Sequence, residues 1–306
     1  MRYRLANVSD LQNCVPLLPK AFRPSARVRA RLTELWQRLI EINPANIVVF
    51  EDENGLEGCA ISAHVGEPFV HEALAKPAPH LAARFYEEML GGRSPVLTPA
   101  ELRKANSSGN LHLLVLHFGL RNHDLSDERT RAVLRMGAQA FYFFNLGYRY
   151  AFFLNEVYGR QAADYMRGGG FRLLNEFETD GCALAERSFL FGLRGDWVAS
   201  GAINTMGFLF DPAAPRFGFT PAEQRVLLRA MLNESDAQIA EHLGVSLEAV
   251  KKTWRRAFDR AMLAAPSLFG ARDSHGDAEG RQSRGFEKRR HLLDYLRVHL
   301  AELRPY

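Results

Sequence analysis

Apolar residues recur along this chain with two periods, and the change from one to the other divides it. Up to about residue 195, short apolar runs alternate with helical stripes. Residues 3–8 (YRLANV) read as a strand and 9–22 as a helix begun by Ser9 or Asp10. Val28, Leu32, Leu35, Trp36 and Leu39 fall on one face of a helix over 27–42. Strands at 46–52 and 56–65 flank Asn54-Gly55, a hairpin-turn signal. A helix over 72–90 and a short one near 98–105 precede LHLLVLHF (111–118). That nearly unbroken apolar run suits a central strand covered on both faces. His112 and His117 have opposite parity along it, so they cannot form one pair, and they read as core or edge histidines. A helix over 126–146, capped by Ser126, turns Val133, Leu134, Gly137, Ala138, Phe141 and Phe144 inward. A strand (148–157), a helix (159–167) and two strands (171–178 and 187–195) follow. The pattern predicts an α/β domain over 1–198, a mixed sheet flanked by helices.

Past residue 219 only the helical period remains. Thr220 caps a first helix with Pro221 at its first position and Glu223 three residues on. Val226, Leu227, Ala230 and Met231 form its inner face. Ser235 or Asp236 opens a second helix that buries Ile239, Ala240 and Leu243, and Gly244 supplies the left-handed residue that ends it. Ser246 caps a third, with Val250, Trp254, Phe258 and Ala261 inside and Lys251, Lys252, Arg255 and Arg256 outside. This sets an all-α domain over 219–265, behind a linker (199–218) with a docking piece at Phe208-Leu209-Phe210. Residues 266–285, rich in Gly, Ser, Arg and Asp, read as a mobile insertion. A C-terminal helix (286–306) carries Leu292, Leu293, Leu296 and Leu300 as its stripe.

Charge supports the division. The 306 residues carry a net +4. From Arg216 onward there are 16 Lys+Arg against 12 Asp+Glu, whereas the preceding 215 residues hold 23 of each. The excess positive charge thus lies with the three helices, as a phosphate-binding module requires. Cys14, Cys59 and Cys182 have no metal or redox spacing and read as reduced thiols. No apolar run approaches a membrane span, so a cytoplasmic protein without membrane contact is expected.

The three-helix segment resembles the LuxR/FixJ-type DNA-binding domain. The likeness rests on Thr220-Pro221-Ala222-Glu223, Asp236, Ile239-Ala240, Leu243-Gly244-Val245-Ser246 and Val250-Lys251. It implies a helix-turn-helix whose third helix enters a major groove. Lys251, Lys252 and Arg255 are then candidates for reading bases, with Leu247 and Ala249 able to meet a thymine methyl. Gln238, Ser246, Thr253 and Arg256 are candidates for phosphate contacts. Ala249, Thr253 and Trp254 depart from the family's usual residues.

The order of elements in the first domain, with AADYMRGGGFRLL (162–174), resembles the GNAT N-acyltransferase fold. The family's pyrophosphate loop carries Gly-x-Gly. Here GLRNHDLSDER (119–129) stands in its place, with Asp124, Asp127 and Glu128 where an anion would sit. Glu51, Glu57 and Glu156 were weighed as bases and Tyr158 and Tyr165 as acids, with none assigned. The resulting expectation is a degenerate GNAT-like domain that senses a small-molecule effector or a partner, or dimerises. It controls a LuxR-type, sequence-specific transcriptional regulator acting as a homodimer on double-stranded DNA. No enzymatic activity, catalytic residue, cofactor or metal is expected. The alternative is a GNAT-type acyltransferase fused to a DNA-binding domain.

Overall fold

The computed structural model describes residues 1–124, 126–178, 187–199, 206–211, 213–269 and 280–305. Cys182, part of the expected linker and half of the expected insertion lie outside the described residues. The chain forms two compact units: Met1–Asn145 with Arg149–Asp211, and Leu146–Tyr148 with Pro212–Tyr306.

The first unit runs β1 (Arg2–Leu5), α1 (Leu11–Cys14), α2 (Ala26–Ile42), β2 (Ile47–Asp52), β3 (Gly55–Val65), α3 (Glu67–Ala75), α4 (Leu81–Leu90), α5 (Pro99–Ser108) and β4 (Leu111–Leu120). It continues with α6 (Glu128–Asn145), β5 (Tyr150–Tyr158), α7 (Arg160–Gly168), β6 (Arg172–Phe177), β7 (Ser188–Leu193) and α8 (Gly195–Ala199). The seven strands lie in the order β1-β2-β3-β4-β5-β7-β6. Every neighbouring pair is antiparallel except β4 and β5. That one parallel pair needs a crossover, which α6 supplies.

Helices cover both faces. On one face the α2 stripe of Val28, Leu32, Leu35, Trp36 and Leu39 is buried, and Trp36 donates its indole N–H to Tyr86 of α4 at 2.9 Å. Each such aliphatic side chain contributes about 2 kcal/mol by leaving water. On the other face α6 turns Val133, Gly137, Ala140 and Phe144 inward. Gly137 is required there: a Cβ would stand 2.6 Å from the Phe118 ring. Phe141 packs on Phe153, and Tyr3 on Phe143 and Phe144.

Four local expectations are corrected. The helix expected over 9–22 is only one α-helical turn between two 3-10 turns, because Pro16 removes a donor and interrupts it. The helix expected over 72–90 is two, α3 and α4, parted at Pro77 and Pro79. The cap of α6 is Asp127, not Ser126: its carboxylate accepts from the Thr130 N–H at 2.8 Å. Ala138, expected inward, is exposed.

The excursion from β3 to β4 is pinched at its neck. Gly66 N–H donates to the Pro95 carbonyl and Leu97 N–H to the His64 carbonyl, both at 2.9 Å, beside a Val65–Val96 bridge. Helices α3 and α4 lie inside that neck.

The second unit holds α9 (Pro221–Met231), α10 (Asp236–Leu243), α11 (Leu247–Ala264) and α12 (Gly280–Val298). Thr220 with Glu223, and Ser235 with Gln238, close capping boxes. Gly244 is left-handed at φ 62°, and the Ser246 hydroxyl accepts from the Ala249 N–H. Val226, Leu227, Ile239, Val250, Trp254, Ala261, Leu292 and Leu296 are buried, while Leu243 and Phe258 are half-buried. Helix α12 folds back on this core. Arg289 pairs with Asp236 at 2.8 Å and lies over the Trp254 ring. Buried Glu302 accepts from the Arg216 and Phe217 N–H groups at 2.6 and 2.9 Å.

Candidate functional site

The sheet opens between its two parallel strands. Opposite Ile61 and Ser62 of β3 the register skips Leu116, a bulge in β4. A bulge bends its strand and increases local twist. Pairing of β4 with β5 ends at Val115–Asn155, just before the bulge. Beyond it β4 stays with β3 up to Leu120, and Glu156, Val157 and Tyr158 of β5 stay with β7. The facing edges of the two strands are left unpaired with each other.

On the α2/α4 side of this opening, β5 presents Glu156 and Tyr158. The Glu156 carboxylate is buried and accepts from the His80 N–H at 2.7 Å, the Leu81 N–H at 2.6 Å and the Ser188 hydroxyl. His80 opens α4 in the left-handed region at φ 66°. Its ring stacks on Tyr158 with centroids 6.0 Å apart, and Nδ1 lies 3.5 Å from the phenol oxygen. Burial, reinforced by the charge of Glu156, pushes the Tyr158 phenol far up and keeps it protonated. Deeper on the same side, His117 of β4 lies between Phe22 and Tyr86. Complete burial pushes its imidazole down to about 3, so the ring is neutral. The bulge removes the parity argument for the two histidines, since it shifts every position after Leu116.

At the C-terminal end of β4 a cavity of about 250 Å³ lies at the start of α6, lined by Glu57, Arg121, Asn122, Asp127, Arg129 and Thr130 among others. Asp127 is held below the usual carboxylate range by the Thr130 N–H and hydroxyl, and Asp124 by those of Ser126. The first donors of the helix are therefore taken by carboxylates of the chain itself. Positive charge comes from side chains: Arg121 and Arg129 stand 3.3 and 3.2 Å from the buried Glu57 carboxylate. The sequence reading weighed the acids of GLRNHDLSDER and passed over its two cavity-lining arginines. Arg129 also pairs with Asp52, so an anion entering here would have to displace Glu57 and Asp52 from the two arginines, and the backbone of the loop does not cradle one.

Of the other residues weighed earlier, Glu51 is tied to Arg2 and Arg4 on the far edge, and Tyr165 of α7 is half exposed. Cys14 and Cys59, far apart in sequence, are buried neighbours: the Cys14 side chain and burial together raise the Cys59 thiol. No group of three metal-ligating side chains exists among the described residues. Among them, too, no helix is long and apolar enough to cross a membrane. His80 was missed by sequence reasoning. Only Pro77 and Pro79, which place a helix start after them, signal its position.

The residues expected to meet DNA gather along α10 and α11. Lys251, Lys252, Arg255 and Arg256 are exposed on α11, as are Leu247 and Ala249 at its start. Arg255 pairs with Glu248 at 2.7 Å. The Gln238 and Ser246 side chains serve as caps, and the half-buried Thr253 donates to the Ala249 carbonyl at 2.9 Å.

No protein-family model and no curated protein matches the chain. Solved structures do. GphF, a GNAT-like decarboxylase in complex with isobutyryl-CoA, is 18% identical over 63% of this chain and 99% of its own, with a TM-score of 0.37. A histone acetyltransferase HPA2 and related acetyltransferase from Corynebacterium glutamicum is 18% identical over 62% and 94%, with a TM-score of 0.33. FeeM, an N-acyl amino acid synthase from uncultured soil microbes, is 10% identical over 67% and 94%, with a TM-score of 0.37. None of these is a transcriptional regulator. The expectation of a LuxR-type, DNA-binding transcriptional regulator without enzymatic activity is thereby corrected toward the acyltransferase alternative. At such identities and TM-scores the likeness brings no substrate with it. The first unit's own strand order, with one parallel pair parting at a bulge, carries the statement that the mixed seven-stranded sheet flanked by helices has the GNAT-like fold.

Proposed function

We propose that the chain is a GNAT-type acyltransferase fused to a DNA-binding domain. The parting of β4 and β5 supports the first half. An acyl-CoA has an extended amide-bearing arm, and an extended amide chain pairs with a free strand edge. The unpaired edges past Val115 and Asn155 offer such a seat. The thioester then lies near Glu156 and Tyr158, and its phosphates lie toward Arg121 and Arg129. Titrating acetyl-CoA into the full chain while following thermal unfolding tests this. Bound donor stabilises the folded state by mass action, about 2.7 kcal/mol at a hundred times its dissociation constant. A midpoint that never moves with acetyl-CoA counts against the reading.

The second half rests on the exposed row of Lys251, Lys252, Arg255 and Arg256 on a helix that follows the left-handed turn at Gly244. Against a pool of random DNA duplexes, Lys251→Ala with Arg255→Ala is expected to abolish binding while helicity stays intact. Wild-type affinity should fall steeply with salt, because phosphate contacts release counterions. Unchanged binding by the double variant would remove these residues from the interface.

A further inference from the structure

We propose that His80 is the proton-transfer residue of this acyl-transfer site and that Glu156 is the residue that positions it; the assignment rests on the acyltransferase reading above. Four observations meet at one place. His80 and Asn233 are the two non-glycine residues with positive φ among the described residues. A left-handed conformation is unfavourable for an L-residue, and strain of this kind persists where the surroundings over-determine it. The surroundings here are the Glu156 carboxylate, which grips the N–H of His80 at 2.7 Å and of Leu81 at 2.6 Å. Glu156 sits in the part of β5 that has left β4, so the grip holds His80 beside the opening.

The ring is oriented as well as the backbone. Tyr158 stacks against it with its phenol oxygen 3.5 Å from Nδ1; in the tautomer whose Nδ1–H donates to that oxygen, Nε2 is the proton acceptor. Tyr158 faces the imidazole, and the Glu156 carboxylate holds the N–H of the same residue. Both come from β5, and His80 comes from the excursion between β3 and β4. Imidazole is the side chain whose charge changes near neutral pH, which suits it to accept and return a proton within one turnover.

The step balances with this one residue. A neutral primary amine attacks the thioester carbonyl, a C–N bond forms and the C–S bond breaks. Nε2 takes one proton from the attacking nitrogen and hands it to the departing sulfur. The products are an amide and a free thiol, and His80 ends in the state in which it began.

The test uses the full chain, acetyl-CoA, and a panel of agmatine, spermidine and the free amino acids, with thiol release as the readout. Asparagine is at ease in the left-handed region, so His80→Asn removes the base while keeping the backbone. Expected is a fall in kcat/KM of about 100-fold or more, with the thermal midpoint kept and the acid limb of the pH–rate profile gone. Glu156→Gln keeps the shape but weakens the grip on the His80 N–H, so it should lower kcat while KM is kept, a split that a merely structural role would not produce. If His80→Asn turns over within about twofold of wild type and keeps its acid limb, the assignment falls and the acyltransferase reading stands. If the wild type releases no thiol and acetyl-CoA does not shift its unfolding, that reading falls and His80 with it.

Discussion

Acidification from pH 6.5 to about 4.5 is expected to remove about 3 kcal/mol of stability through one side chain, His117. Burial between Phe22 and Tyr86 pushes its imidazole from the ordinary 6.5 down to about 3, and Nε2 has no hydrogen-bond partner. Between those two values the unfolded chain takes up a proton that the folded chain refuses. Stability is therefore complete above pH 6.5 and declines as pH falls, by about 1.4 kcal/mol per unit, until the folded ring titrates near 3. His112 adds a contribution of the same sign, since burial lowers it more than the charge of Glu67 raises it. Urea unfolding of wild type and His117→Leu across this range isolates the effect. Leucine fills the site without a titrating group, so the variant should gain on wild type as pH falls. Parallel stability curves for the two proteins would show that His117 is not the group responsible.

Replacing Glu156 with alanine is expected to cost about 3 kcal/mol or more, because hydrogen bonds to a charged group are worth about 1.5–3 kcal/mol each when buried. The substitution leaves the His80 and Leu81 N–H groups and the Ser188 hydroxyl without their acceptor. It also frees His80 to leave its left-handed conformation. A lowered urea midpoint with an unchanged slope checks the stability term. Faster hydrogen exchange at His80 and Leu81 checks its location. An unmoved midpoint would mean that water replaces the carboxylate, and the grip described here would not matter to folding.

Helices with strong stripes and caps were legible in the sequence. The stripe of α2 and the Thr220–Glu223 box of α9 stand as their residues imply. The errors came from reading apolar spacing past proline: Pro16 and Pro77 were visible and outweigh the stripe around them. At α6 the choice between Ser126 and Asp127 turned on one residue of phase, and the neighbouring Asp124 engages Ser126 in a turn of its own.

The candidate site was harder to see because it is made by long-range pairing. Glu156 was weighed and left without a role, since nothing near it in sequence explains a buried carboxylate. Its partners lie 76 and 75 positions earlier. The bulge at Leu116 is invisible in LHLLVLHF because every residue there suits either face. The acidic loop before α6 suggested repulsion of an anion. Its carboxylates turned out to be committed to local N–H groups, and the arginines among them reach the cavity.

The pinched neck of the excursion between β3 and β4 has a consequence for how such a chain can change. With both ends fastened at Val65 and Val96, the enclosed piece behaves as a cassette spliced into a hairpin. Its far end is latched to β5 by Glu156, and its interior supplies Phe85 and Tyr86, both fully buried. Excision would leave β3 joined to β4 through α5, yet it would also uncover Trp36 and His117. Cassette and sheet have become mutually dependent, so the strained histidine can be inherited or lost only together with the part of the core that Phe85 and Tyr86 supply.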